Sequence, residues 1–202
     1  DGTRVMRSYA IPHFPLDDYI PPQDVQGQRA YGEEGVERLA SVQARKLTTI
    51  RKSHAATLET ARAKMITSGD IYAPNGTVVG NVYTDFGVTR KQVAMDLTNA
   101  ATDILGKQRE IVDHIQDNIM SGETPSEIIA LCSPSYFDAY IAQAGVKEAY
   151  KFYTSTQEPL RNGNWSQFRH GDILLVRYNG KFKDASGVSQ ALIPDGDAYY
   201  LP

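Results

Sequence analysis

The residues of this chain with the greatest capacity for chemistry are four histidines, one cysteine and an adjacent pair of aspartates, and their spacing gives them little to do together. His13, His54, His114 and His170 lie far apart, with neither HxH nor HExxH spacing, so no local segment offers two imidazoles to one metal. Cys132 is the single cysteine and sits in the apolar run EIIALCS. It can form no internal disulfide or cysteine-based metal site, and its surroundings predict a small buried hydrophobe. Asp17 and Asp18 are neighbours in a proline-rich extended stretch, where successive side chains point to opposite faces. They cannot work as a joint acid and base pair and read as turn or contact residues. Asp85, Phe86 and Gly87 repeat a kinase tripeptide without the glycine-rich loop, strand lysine or HRD segment that would give it meaning. The glycines are dispersed through turns, with no phosphate-cradling run. The sequence therefore assigns no catalytic residue, no metal ligand and no cofactor.

Composition narrows the remaining classes. The 202 residues can hold one sizeable core or two small ones, and 41% hydrophobic with 22% charged content is ordinary for a globular protein. The longest apolar runs, Ile128 to Cys132 and Ile173 to Val176, fall far short of the roughly 20 residues that span a bilayer, so no membrane partner is expected. A net charge of -3 argues against sequence-specific or strong nucleic-acid binding. The local cluster Arg45, Lys46, Arg51 and Lys52 reads as a solvated helix face. Of the 12 tyrosines, Tyr9, Tyr19, Tyr31, Tyr72, Tyr83, Tyr178, Tyr199 and Tyr200 lie near arms, turns and strands, where amphipathic rings suit interfaces or half-buried strands equally. The chain opens on Asp1 and stops in mid-pattern at Pro202, so further sequence is expected on both sides.

The elements that must position these residues begin with an arm. Pro12, Pro15, Pro21 and Pro22 fix φ and push each preceding residue toward extended geometry, so Tyr9 to Gly32 predicts strand and polyproline-like chain. From Glu33 to Ser68 the pattern is helical without a break, about 50 Å at 1.5 Å per residue. Val36, Leu39, Leu47, Ile50, Leu58, Ala61 and Met65 form one apolar stripe expected to pack, with Arg38, Arg45, Lys52, Glu59 and Lys64 on the wet side. Asn75 and Gly76 between β-prone runs predict a hairpin, and Gln92 to Leu97 alternates like a strand closing the first domain's sheet.

Thr102 to Met120 predicts an amphipathic helix, with Gly122 as a stop and a domain boundary near it. IIALC then reads as a buried strand, followed by Ser133 as N-cap and Pro134 at the first helical position. Tyr136, Phe137, Tyr140 and Ile141 give that helix its apolar face, and Val146, Ala149, Tyr150 and Tyr153 continue it. Thr154 to Ser166 reads as a loop and Asp172 to Tyr178 as a strand. Asn179 and Gly180 suggest a second hairpin turn, and strands are expected at Val188 to Ile193 and Asp197 to Leu201, split by the PDGD turn.

Taken in order, the arm IPHFPLDDYIPPQDVQGQRAYG, the long helix, the GDIYAPNG hairpin, the LCSPSYFDAYI strand and helix, and the IPDGDAYYLP segment resemble the lambda-like major capsid proteins of tailed phages (capsid protein E family). That family is similar in fold to the Hong Kong 97-type capsid protein. The resemblance implies an α+β subunit: residues 1–32 as part of an extended loop and its return, 33–101 as a peripheral domain with a spine helix, and 102–202 as an axial domain. It implies a head-shell protein with no enzymatic activity, found in the virion and in host cytoplasm before assembly. Its partners would be copies of itself in pentamers and hexamers, with scaffold and decoration proteins. A shell tile needs an arm that lies across a neighbour, and Phe14, Leu16, Asp17, Asp18, Tyr19 and Ile20 are the expected contacts, the two aspartates meeting basic residues of an adjacent subunit. The rival reading is a mixed α/β ligand-binding domain or enzyme with a site between its two units.

Overall fold

The computed structural model describes residues 8, 11–24, 39–119, 125, 127–153, 166–183 and 187–202. The chain divides into two compact units, Asp1–Gly87 and Val88–Pro202.

In the first unit, residues 11–21 form neither helix nor strand, in keeping with their prolines, and lead into a short 3-10 turn at Pro22–Asp24. Helix α1 runs from Leu39 to Ser68, about 45 Å at 1.5 Å per residue. The part of the expected helix before Leu39 lies outside the described residues. Four threonines, Thr48, Thr49, Thr57 and Thr60, donate their hydroxyls back to the carbonyl four residues earlier, which satisfies those hydroxyls along the open face. Gly69 ends the helix with φ at 77°, and a Cβ there would sit 2.3 Å from Cδ2 of Tyr83, so only glycine fits.

The expected hairpin follows as β1 (Asp70–Tyr72) and β2 (Val78–Asn81), antiparallel across Pro74 to Gly76. Asn81 fastens this hairpin from both ends of its amide. Its Nδ2 donates to the Ser68 carbonyl at 3.0 Å and to Asp70 Oδ1 at 2.7 Å, while its Oδ1 caps α2 (Val82–Phe86) by accepting from Thr84 N. The kinase-like tripeptide is the end of α2: Gly87 is a left-handed C-cap and Phe86 is exposed.

The second unit is built on a four-stranded sheet. It comprises β3 (Ile128–Cys132), β4 (Gln167–His170), β5 (Ile173–Arg177) and β8 (Ala198–Leu201). β3 and β5 are parallel, and β4 and β8 flank them antiparallel. Period-two alternation turns Ile128, Ala130 and Cys132 inward on β3 and Ile173 and Leu175 inward on β5. This buried face meets α3 (Ile104–Asn118) through Ile104 and Ile111, and α4 (Pro134–Ala142) through Tyr136, Phe137 and Tyr140. Each fully buried Ile or Leu here contributes about 1.5–3 kcal/mol relative to exposure. Ser133 caps α4 with Pro134 at its first turn, as the sequence predicts, and α5 (Ala144–Tyr153) follows, capped by Gln143 Oε1 accepting from Val146 N at 3.0 Å.

Three expectations need correction. Gln92 to Leu97 is not a strand: residues 88–96 are irregular and belong to the second unit. The alternation is real, since Met95 is buried and Val93 and Leu97 pack on the second unit's core, but Asp96 has φ at 45°, which breaks an extended run. Asn179 and Gly180 do not close a hairpin either. They join β5 to β6 (Lys181–Lys183), which pairs with β7 (Ser189–Ala191) in a separate two-stranded sheet. Finally, β4 is a strand the sequence reading passed over. It turns into β5 through Gly171 and Asp172, with Gly171 at φ 61°, a two-residue hairpin turn.

Candidate subunit-contact surface

Lys46 ties the arm to its own helix. Lys46 Nζ donates to Asp18 Oδ1 at 3.2 Å and to the Tyr19 carbonyl at 2.5 Å, lies 3.8 Å from Asp24 Oδ2, and sits 5.9 Å from the centre of the Tyr19 ring. Lys46 is therefore the arm's anchor, not one of a row of solvated cations. Sequence reasoning misses it because the contact spans 28 residues and leaves no local signal. Val42, one turn earlier on the same side of α1, is buried.

The six expected contact residues divide across the arm's two sides. Asp18 turns to its own chain's Lys46, whereas Asp17 makes no ion pair among the described residues, the alternation expected of extended chain. Phe14 and Ile20 are half-buried, Leu16 is exposed, and Tyr19 keeps 78% of its surface despite its neighbour Lys46. Ile11, at 91% exposure, lies open at the arm's start.

Among the described residues most of the apolar stripe of α1 is exposed, with Ile50 half-buried. Leu47, Leu58 and Met65 are 45%, 52% and 47% exposed, Leu39 is exposed as well, and Val42 is the one buried residue of the helix. A helix of 30 residues with a single buried side chain gains little from its own unit, since most helical stability comes from packing an apolar face.

The second unit holds two polar clusters. Tyr140, fully buried, accepts a hydrogen bond from Gln108 Nε2 and pairs with His170 Nδ1 at 2.7 Å, so one hydroxyl joins α3, α4 and β4. Gln108 also donates weakly to the His170 carbonyl at 3.4 Å. The hydroxyl hydrogen remains available to His170 Nδ1, which accepts it when the neutral ring carries its proton on Nε2. Burial holds the His170 imidazolium below its ordinary value, and no charged group opposes that effect. The second cluster secures the IPDGD turn. Gly196 N donates to Ser133 Oγ at 3.1 Å and to Ser135 Oγ at 2.9 Å, Ser135 Oγ donates to Asp195, and Ser133 N donates to the Asp197 carbonyl. These contacts tie the last turn to the junction of β3 and α4.

None of this has the layout of a reaction centre. Cys132 is wholly buried and burial pushes its thiol up to about 12, so it is the inert hydrophobe its sequence context predicts. A shallow cavity in the second unit holds Glu127, Arg169 and Asp172, but Arg169 is already paired with Glu127 at 2.7 Å. Among the described residues no three His, Cys, Asp or Glu side chains gather as a metal site, and no helix is long and apolar enough to cross a membrane.

An anchored arm, a long helix with an open apolar face and a compact sheet unit are the parts of a protein that acts through its surfaces. The sequence matches the family described as phage major capsid protein E over residues 1–202, and the chain belongs to that family. It is 39% identical over 215 aligned positions to the major capsid protein of Pseudomonas phage KPP10, covering 100% of this chain and 61% of that protein. It is 27% identical to the major capsid protein of Salmonella phage Felix O1, covering 92% of this chain and 55% of that protein. The chain thus spans somewhat more than half the length of these relatives.

Proposed function

We propose that this chain is the greater part of a major capsid subunit that self-assembles into the icosahedral shell enclosing packaged phage DNA. The observation that carries the reading is the open face of α1: a 30-residue helix with Leu47, Leu58 and Met65 exposed on one side needs a neighbour to cover them. Family membership supplies the kind of neighbour, another subunit of the same shell. The subunit adopts the Hong Kong 97-type architecture, with residues 1–32 as extended loop and return, 33–101 as peripheral domain with α1 as its spine, and 102–202 as axial domain. Copies gather as pentamers and hexamers, with scaffold and decoration proteins as further partners, and the protein passes from host cytoplasm to virion.

Within this reading Phe14, Leu16, Asp17, Asp18, Tyr19 and Ile20 are subunit contacts. Asp18 is engaged by its own Lys46, which leaves Asp17 as the carboxylate for a neighbour's basic residue. Expression of the full-length parent with phage scaffold and protease, followed by negative-stain electron microscopy, tests the function: uniform closed shells are expected. A parent that stays a small discrete oligomer would reject the proposal.

A further inference from the structure

We propose that the exposed basic face of α1, carrying Arg45, Arg51, Lys52 and Arg62, rests against the phosphate backbone of double-stranded DNA held inside the shell. The inference depends on the shell-subunit reading for the presence of enclosed DNA, and it names the face that meets it. At 3.6 residues per turn the four cations fall within an arc of about 120° on the helix. The centre of that arc lies about 90° around from Leu47, Leu58 and Met65. One helix can therefore give its apolar side to a neighbouring subunit and its basic side to the contents of the shell.

Three observations set this face apart from an ordinary solvated one. All four cations are exposed, and Thr48 and Ala55, which share the arc, are small and exposed too, so a broad ligand can come close to the helix. Arg51, Lys52 and Arg62 form no ion pair among the described residues. Glu59 is the one acid on α1, and both its i±4 neighbours, Ala55 and Ala63, are uncharged, so the helix lacks the i,i+4 charge pairs that steady a solvated face. Finally, charge is segregated. α1 carries six basic residues and one acidic, while the rest of the chain carries 15 basic and 23 acidic, which places a helix of net charge +5 in a chain of net charge -3.

Duplex DNA fits this face in length and in charge. From Arg45 to Arg62 the face runs about 26 Å at 1.5 Å per residue. A duplex carries one charge per roughly 1.7 Å of its axis, so one lying along the helix offers about 15 phosphates to the four cations. Cations on phosphates hold position and read no bases, so the contact has no sequence preference. With few cations per subunit in an acidic chain it is weak and salt-sensitive, and the duplex stays free to move.

The test uses the full-length parent as soluble subunits, before shell formation, and a short fluorescently labelled duplex of arbitrary sequence read by anisotropy. Arg51→Gln, Lys52→Gln and Arg62→Gln are combined in the face variant. Lys147→Gln, Lys181→Gln and Lys183→Gln, all at exposed positions of the second unit, are combined in a control that loses the same charge. Three phosphate contacts contribute about 2.7 to the slope of log affinity against log salt, so wild-type affinity should fall at least about 40-fold between about 50 and 200 mM salt. The face variant should lose that share of the slope and bind at least about tenfold more weakly at the lower salt, with the control within about threefold of wild type. Shells should form from the face variant as from wild type, because the apolar side of α1 is untouched.

A face variant that binds the duplex like wild type, a control weakened equally, or a wild-type parent with no measurable binding at the lower salt would overturn the proposal. So would a face variant that is folded by circular dichroism yet forms no shells, which would give the face to an acidic surface of a second copy. Should the triple variant not fold, Arg51→Gln with Lys52→Gln is read in the same way, against an expected change in slope of about 1.8. Wild-type subunits that bind the duplex through this face and form no closed shell would overturn the shell reading and keep the basic face as a DNA contact.

Discussion

Replacing Tyr140 by Phe removes one oxygen from the centre of the second unit and leaves the ring in place. The ring is fully buried, stacked on Tyr136 at 6.1 Å and edge-on to Phe168 at 6.4 Å, and these contacts survive the change. What is lost is the joint between α3, α4 and β4: the bond from Gln108 and the bond to His170 Nδ1. Each net hydrogen bond contributes about 1 kcal/mol, and a buried donor left with a poor partner costs more. Gln108 is 5% exposed and would keep only its 3.4 Å bond to the His170 carbonyl. The expected loss is therefore roughly 2–3 kcal/mol. Native-state hydrogen exchange of the full-length parent, read on peptides covering α3 and α4, reports that loss locally. At 1.4 kcal/mol per factor of ten, exchange should speed up roughly 30- to 150-fold. Tyr136→Phe is the comparison, because its hydroxyl makes a single bond, to the Tyr200 hydroxyl at 2.8 Å, and should cost about 1 kcal/mol. Exchange in Tyr140→Phe within about twofold of wild type would refute the idea that this hydroxyl locks the three elements.

The same joint makes the second unit sensitive to acid. Because burial lowers the His170 pKa below its unfolded value of 6.5, the unfolded chain binds the proton first. Stability is full above pH 6.5 and falls as pH drops from there toward the depressed folded value, and His170→Asn, which keeps an acceptor for Tyr140 and cannot titrate, should flatten that part of the pH profile of exchange. Asn81→Asp keeps the acceptor that caps α2, loses the amide donors to Ser68 and Asp70, and places a second carboxylate beside Asp70. It should destabilise the hairpin and speed exchange in residues 70–81, by roughly 1–3 kcal/mol, whereas wild-type exchange there would show that Asn81 does not hold the hairpin. Lys46→Ala should free the arm, so that limited proteolysis within residues 11–24 accelerates several-fold while exchange in α3 and α4 stays unchanged. Exposed ion pairs contribute about 1 kcal/mol or less, so a global loss of stability would contradict the local role given to Lys46.

Local chemistry made much of the fold legible before any coordinates. Ser133 followed by Pro134 specifies a helix start, Asn75 with Gly76 specifies a hairpin, and both stand where the sequence puts them. Buried positions on β3 and α4 follow from periods of two and 3.6. Failures came where pairing partners decide. Residues 92–97 turn the predicted side chains inward but form no ladder, since alternation records which residues point inward and says nothing about a neighbouring strand. Asn179 and Gly180 supply a turn, yet the strands they link belong to different sheets. The Gly171 and Asp172 turn was readable as a hairpin signal and would have revealed β4. On the contact surface, the arm and the helix were each visible alone, but the Lys46 anchor was not, because it joins residues distant in sequence. The stripe of α1 is legible as apolar and expected to pack, and within the described residues most of it stays exposed.

On the proposed function, this chain builds a closed shell through surfaces that it leaves exposed by itself. Cryo-electron microscopy of particles formed by the full-length parent tests it most directly. Closed icosahedral shells with a rod of density about 45 Å long, the length of α1, flanked by an extended segment along its apolar face, are the predicted result. Rings, tubes or a small discrete oligomer, or a closed shell in which the face carrying Leu47, Leu58 and Met65 is bare to solvent, would contradict it.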